Sequence, residues 1–128
     1  MQYSLFLRAP EMTPRDLGDE AMNAGRVAMD AYAKSLDAAG VLVSAIMLQP
    51  SIATITVSVR DEEVDVAGRP SPDTVDPLMG TFVIEVADRD AAIEWASKCP
   101  AAQWGAIEVR PSSVTFTDGS WHLAGALD

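Results

Sequence analysis

Five charged side chains are predicted to meet at one place and to supply most of the chemistry available to this chain. Arg26 and Asp30 lie four positions apart in a segment with helical periodicity, so they share one face of a helix. Arg69 and Asp73 lie in a proline-rich loop, and Arg8 lies where the first predicted strand ends. A guanidinium at such a site would bind a carboxylate or an enolate through two parallel hydrogen bonds, and an aspartate would move a proton. We expect this set to converge at the mouth between the helix and a sheet.

The same residues also have a purely structural interpretation. An exposed pair of opposite charges four residues apart contributes only about a few tenths of a kcal/mol to stability. An aspartate among prolines is a common turn residue. Three methionines, Met22, Met29 and Met47, either form an adaptable apolar wall beside a ligand or belong to the core. Both interpretations stay open at the level of the sequence.

The only histidine, His122, is the one side chain that titrates near neutral pH without help from its surroundings. It would act as a general acid or base if its segment folded over a pocket, and it is otherwise a solvated side chain. With one histidine and one cysteine, Cys99, the chain has no ligand cluster for a metal and no intrachain disulfide. It also lacks the glycine-rich nucleotide loops, the G-x-S-x-G turn and the C-x-x-C pair. We therefore expect neither a metal nor a cofactor.

Hydrophobic periodicity predicts the elements that position these groups. The expected order is a strand over 2–7, a helix over 13–39 closed by Gly40, strands over 41–47, 54–60 and 64–66, a loop over 68–77, a strand over 81–87, a helix over 88–99 and a strand over 107–110. Asp88 is the predicted N-cap of the second helix, and Pro100 ends it. The order of elements is typical of an α+β, ferredoxin-like βαββαβ sandwich.

The segment from 80 to 111 carries the family resemblance. Its strings DRDAAIEWASKCPAA and GAIEVRP, with AAGVLVSAIMLQP and QYSLFL upstream, resemble the YCII-related family, also called the DGPF-domain family, over roughly residues 1–111. The resemblance implies that two ferredoxin-like sheets pack face to face into a dimeric α/β barrel. Family members often carry a histidine and an aspartate that resemble an acid/base pair, and these positions fall on Arg26 and Ala38 here. Of the D-G-P-F turn, which falls on residues 68–71, only Pro70 is kept.

Two classes of function follow from this resemblance. In the first, a homodimer binds a small anionic or aromatic organic molecule and acts as a cofactor-free lyase or isomerase. Arg26 would then stabilise an anionic intermediate, and Asp30, Asp73 or His122 would move a proton. In the second, the chain is a non-catalytic binding or accessory protein that has lost the family's acid/base pair. Fold alone does not decide between them.

Residues 112–128 are predicted to extend the ferredoxin-like domain of residues 1–111. Asp118-Gly119 is a pair typical of a two-residue hairpin turn, which places Phe116 opposite Trp121 and Thr115 opposite His122. One side of this hairpin is apolar, so we expect it to clamp onto a hydrophobic surface of its own chain or, by swapping, of the partner.

Composition limits the choice of partners. A chain of 128 residues is long enough for one ordinary domain, and its net charge of -10 repels phosphate backbones, so we expect no nucleic acid partner. No apolar run has the length of a membrane span, and the first residues do not resemble a secretory signal. We therefore expect a cytoplasmic protein without a membrane partner.

Overall fold

A computed structural model describes residues 1–68 and 76–124 and shows a four-stranded antiparallel sheet with helices on one face. The sheet strands are β1 (Gln2–Arg8), β2 (Leu42–Met47), β5 (Leu78–Glu85) and β6 (Ala106–Pro111), in the order β2-β5-β1-β6. Strands β1 and β6, the first and last of these four in the sequence, neighbour each other, and helices connect β1 to β2 and β5 to β6. This is the ferredoxin-like α+β arrangement that the sequence predicts.

The first predicted helix is broken in two. Helix α1 (Pro14–Leu17) and helix α2 (Asp19–Ala38) meet at Gly18, whose φ of 86° is the left-handed conformation that glycine adopts readily. At the start of α1, the Thr13 backbone N–H donates to the Asp16 carboxylate at 3.0 Å, and the Asp16 backbone N–H donates to the Thr13 hydroxyl at 3.2 Å. Donation from Thr13 lowers the pKa of Asp16. This reciprocal cap explains why a short separate helix forms here.

The other predicted ends of helices agree with the structure. Gly40 follows α2 with a φ of 74°. Helix α3 (Arg89–Ser97) is capped by Asp88, whose Oδ1 accepts the Ala91 backbone N–H at 2.9 Å. Helix α4 (Ala101–Trp104) follows Pro100.

The core lies on one face of the sheet. Tyr3, Leu5 and Leu7 of β1 are buried, as are Phe82 and Ile84 of β5. They pack against residues of α2, α3 and α4, namely Tyr32, Leu36, Ala92, Ala96 and Ala101, and against Cys99. The Tyr32 hydroxyl donates to the Trp95 carbonyl at 2.8 Å and so ties α2 to α3. The predicted alternation of β1 and β5 is therefore confirmed on this face.

The segment predicted as a third strand over 54–60 does not join the main sheet. Strand β3 (Thr56–Arg60) pairs only with β4 (Glu63–Ala67) in a separate two-stranded hairpin, and β5 is the third strand of the sheet. Asp61 and Glu62 both have positive φ, which is the turn geometry that brings β3 and β4 together. The polar residues that alternate along this segment, Thr56, Ser58 and Arg60, lie on one face of the hairpin.

The C-terminal hairpin has the predicted register. Strands β7 (Val114–Thr117) and β8 (Ser120–Leu123) pair with Phe116 opposite Trp121 and Thr115 opposite His122. Its only backbone bond to the main sheet among the described residues is from Ser112 N to Gln2 O, at 2.9 Å. A single turn of 3₁₀-helix covers Ser51–Ala53. Within the described ranges, none of the helices combines the length and hydropathy needed to cross a bilayer.

Candidate functional site

The candidate site is the face of the main sheet opposite the core, which we call the open face. Antiparallel register puts two rows of side chains on it, which are Ile46, Thr81, Phe6 and Glu108 in the first and Ser44, Val83, Ser4 and Arg110 in the second. The side chains on the two central strands are half-buried by their neighbours alone. The surface is therefore a band of small polar and apolar groups with charges along the β6 edge.

Two arginines stand on the open face in different states. Arg8 is paired, because its Nε contacts the Glu108 carboxylate and its Nη1 donates to the Asp76 carbonyl at 3.2 Å. Arg110 lies opposite Ser4 on the edge strand, and its exposed side chain makes no hydrogen bond or ion pair with any described residue. A guanidinium without a partner in its own chain can form two parallel hydrogen bonds with a carboxylate. Arg110 lies opposite Ser4, four residues along β1 from Arg8, and the role of Arg8 in binding stays a prediction.

Arg26 and Asp30 lie on the helix side of the sheet. Both are exposed on α2, and the Asp30 carboxylate pairs with Lys34 Nζ at 2.7 Å instead of with Arg26. This pairing raises the pKa of Lys34. Within one chain the sheet separates both residues from Arg110, so the set expected at one mouth is divided between two faces. Arg69 and Asp73 lie outside the described residues.

The three methionines do not form one wall. Met29 packs against the buried core from α2, and Met22 is half-buried two turns closer to the start of that helix. Met47 ends the edge strand β2 on the core side, where a Cβ placed on Gly80 would lie 2.7 Å from the Met47 sulfur. The absence of a side chain at Gly80 thus leaves room for the Met47 side chain to lie against β5. The proposed role of these three residues in substrate binding stays a prediction.

His122 closes onto its own hairpin. Its Nε2 lies 3.2 Å from the Ser120 hydroxyl and 3.2 Å from the Thr117 carbonyl, and the ring is exposed. On the same side of the hairpin, the Thr115 hydroxyl reaches the Gln2 side chain of the open face at 3.4 Å. The histidine therefore stands near one end of the open face and away from Arg26 and Asp30. Its role in proton transfer stays a prediction.

Cys99 is part of the core and not of the site. Burial raises the pKa of its thiol, and hydrogen bonds from the Ala101 and Ala102 backbone N–H groups oppose this only in part. A buried, protonated thiol is a poor nucleophile. Among the described residues, no cluster of three or more histidine, cysteine, aspartate or glutamate side chains could hold a metal ion.

Sequence reasoning missed the residues at the centre of the open face. The apolar character of β1 suggests a strand covered on both faces, whereas Ser4 and Phe6 face away from the core. The alternation of Glu108 and Arg110 with Ile107 and Val109 in β6 carried the signal, because charges at every second position mark an uncovered face.

One comparison with known proteins found a match. The family model for the YCII-related domain matches residues 1–114, which is most of the chain. None of the curated proteins matches it.

Proposed function

The chain belongs to the YCII-related family, and from that premise we propose that it binds a small organic anion with an apolar or aromatic body. The binding chamber forms between the open faces of two copies, so the working form is a homodimer. The observation that carries this proposal is the unpaired Arg110 beside a half-buried band of Ser4, Phe6, Thr81 and Val83.

The size of the chain's surface supports the homodimer. Its accessible surface is 9000 Å², whereas a compact monomer of this mass exposes about 6,600 Å². A second chain can cover part of this excess, and a stable interface buries about 800 Å² per partner. An uncovered sheet face is one place where that surface can be buried.

The composition of the open face supports a ligand in the chamber. Small-molecule sites are mostly apolar, with a few polar groups that fix orientation. Phe6 and Val83 supply apolar area, while Ser4 and Thr81 are too small to fill the space between two facing sheets and offer hydroxyl groups. The net charge of -10 disfavours anions elsewhere on the surface, so a local guanidinium determines where an anion binds.

Binding without chemistry is the function that the geometry supports best. A cofactor-free lyase or isomerase would need Arg26 and one of its proposed proton carriers, Asp30, Asp73 or His122, on the ligand's side of the sheet. Arg26 and Asp30 are exposed on α2, which lies on the helix-covered side of the sheet, opposite the open face. His122 is hydrogen-bonded within its own turn.

A charge-insertion pair tests the homodimer. Val83→Arg places a charge in the middle of the open face, and we expect sedimentation equilibrium to change from a dimer to a folded monomer because a desolvated, unpaired charge opposes association. Val27→Arg on the outer side of α2 is the matched control and should remain dimeric. A wild-type chain that sediments as a monomer would overturn the proposal.

A ligand pair tests the anion site. Benzoate should raise the melting temperature of the wild-type protein, and benzamide, which has the same shape without the charge, should raise it much less. In Arg110→Met the benzoate effect should be lost while the protein remains a dimer. A benzoate shift that is equal in the wild type and in Arg110→Met would remove Arg110 from the site.

A further inference from the structure

Two hairpins that lie outside the main sheet each expose an apolar face. In the β3–β4 hairpin, Val57 pairs with Val66 and Val59 with Val64, and these four side chains, the valine face, are 58–65% exposed. In the β7–β8 hairpin, Val114 pairs with Leu123 and Phe116 with Trp121, and this aromatic face is 44–87% exposed. Exposed apolar faces on two-stranded hairpins call for a covering surface, because a hairpin alone is marginally stable in water.

The chain leaves the main sheet for the two hairpins at diagonally opposite corners. Strand β2 is one edge, and it ends at Met47, beside Gly80 and the Leu7 end of β1. Strand β6 is the other edge, and it ends at Pro111, beside Tyr3 at the opposite end of β1. The β3–β4 hairpin follows the first corner and the β7–β8 hairpin follows the second. The chain therefore leaves the sheet for the two hairpins at opposite ends of the sheet's diagonal.

We propose that the valine face of each chain docks on the aromatic face of a second copy, and that these two contacts close opposite corners of the dimer. The inference rests on the face-to-face homodimer of the proposed function and specifies its geometry. In this dimer the two-fold axis lies between the two open faces and runs along the sheet diagonal that joins the two corners without hairpins. A rotation about this axis places the β3–β4 corner of one chain over the β7–β8 corner of the other. The strands of the two sheets then cross at nearly a right angle, which is one of the two common ways in which sheets pack. An aligned packing would leave both hairpin faces uncovered.

Charge favours this exchange over like-with-like contacts. The β3–β4 hairpin carries Asp61, Glu62, Glu63 and Asp65 against one basic residue, Arg60. Two such hairpins placed side by side across a two-fold axis would repel each other. The β7–β8 hairpin carries a single acidic residue, Asp118. Pairing an acidic hairpin with a nearly neutral one keeps the acidic tips at opposite ends of the dimer.

The shapes of the faces also differ in a compatible way. Phe116 and Trp121 meet edge to face, with ring centroids 5.1 Å apart, and project from their hairpin as one block. The valine face presents four short branched side chains in two facing pairs and no ring. Large rings packed against a short aliphatic surface follow the pattern of interface centres, in which a few aromatic anchors carry much of the binding energy.

Cross-linking of two cysteine variants tests the exchange directly. Val59→Cys and Phe116→Cys are placed on two differently tagged copies, coexpressed and treated with a short bismaleimide linker. The native Cys99 is buried and serves as the internal control for specificity. We expect a cross-linked heterodimer that contains one copy of each variant, because facing sheets lie about 10 Å apart. Each variant alone should give little dimeric product.

Four results would overturn the exchange. Efficient cross-linking of either variant with itself would show like-with-like contact. An internal cross-link in a chain that carries both cysteines, seen as a monomeric band, would show that the chain covers its own faces. A sedimenting dimer without any cross-linked product would show that something else covers both hairpins, and this result would leave the homodimer of the proposed function intact. A monomer in sedimentation would remove both proposals.

A substitution cycle provides the energetic test without cysteines. Trp121→Ser and Val59→Ser should each raise the dimer dissociation constant about tenfold or more, and the double variant should raise it by less than the product of the two effects. Val27→Ser on α2 is the control and should leave the constant unchanged. Effects of Trp121→Ser and Val59→Ser that multiply independently would mean that the two faces do not touch.

Discussion

Gly105 allows two backbone segments to approach more closely than any other residue type would permit. A Cβ at this position would lie 1.9 Å from the Arg8 carbonyl oxygen and 2.7 Å from the Ala9 Cα. These are backbone atoms at the end of β1, so they move only if the sheet edge moves. The glycine therefore allows the connection between α4 and β6 to pack directly against the backbone of Arg8.

Gly105→Ala should destabilise the protein strongly. We expect the free energy of unfolding to fall by about 3 kcal/mol, because overpacking against backbone is relieved only by shifting β1 or β6. Urea unfolding followed by circular dichroism measures the change. Gly68→Ala is the matched control, since a Cβ there meets nothing within 4 Å, and it should change the unfolding free energy by less than about 0.5 kcal/mol. Equal effects of the two substitutions would contradict the close approach.

At the level of elements, the second half of the domain depends on the start of α3. The Asp88 side chain accepts the Ala91 backbone N–H at 2.9 Å and satisfies a donor that the helix itself leaves unpaired. The helix then buries Ala92 and Ala96 against the sheet. A cap at this position therefore determines where the helix begins and which residues reach the core.

Asp88→Ala should lower the free energy of unfolding by about 1 kcal/mol, because the Ala91 N–H loses its partner. Asp88→Asn retains an acceptor oxygen and should lose much less. Thermal unfolding of the two variants beside the wild type provides the comparison. An asparagine variant as unstable as the alanine variant would assign the effect to charge and not to capping.

The elements that the sequence predicted well are those with a single strong periodicity. The alternation in β1 and β5, the Asp88 cap and the Asp118-Gly119 turn each depend on neighbouring residues, and all are confirmed. The two strands predicted over 54–60 and 64–66 are confirmed as β3 and β4, but a strand's alternation does not say whether it joins the main sheet. A glycine at position 18 indicates at most a loose or bent start of the helix, whereas the break itself accompanies the separate cap formed by Thr13 and Asp16.

The predicted site residues stay a prediction, and the sequence could not place them in space for the same reason. Helical spacing placed Arg26 and Asp30 on one helix, but the facing of that helix relative to the sheet depends on distant contacts such as Tyr32 with Trp95. Asp30 is also four residues from Lys34, so the sequence allows Asp30 to pair with either Arg26 or Lys34. In the structure it pairs with Lys34. Arg110 was overlooked because its significance depends on the uncovered face of β6 and on its neighbour Ser4.

At the scale of the whole molecule, many large apolar side chains of the described residues remain exposed, including those of both hairpin faces. The family model ends at residue 114, close to the predicted domain boundary at 111, so the aromatic face of the last hairpin lies mainly beyond the shared domain. The boundary itself stays a prediction. The acidic surface has an opposite effect on assembly, because two copies with a charge of -10 each repel one another at long range.

Salt should therefore strengthen the dimer. Raising sodium chloride from about 0.1 M to about 1 M shortens the Debye length from about 10 Å to about 3 Å and screens the repulsion between the copies, while the buried apolar contacts remain. We expect the dissociation constant measured by sedimentation equilibrium to fall by about tenfold or more. The variant Glu62→Gln/Glu63→Gln, with fewer acidic charges on the β3–β4 turn, should start from a tighter dimer and respond less to salt. A dimer that dissociates as salt rises would instead be held by ion pairs between the subunits, and the apolar faces would not be what joins them.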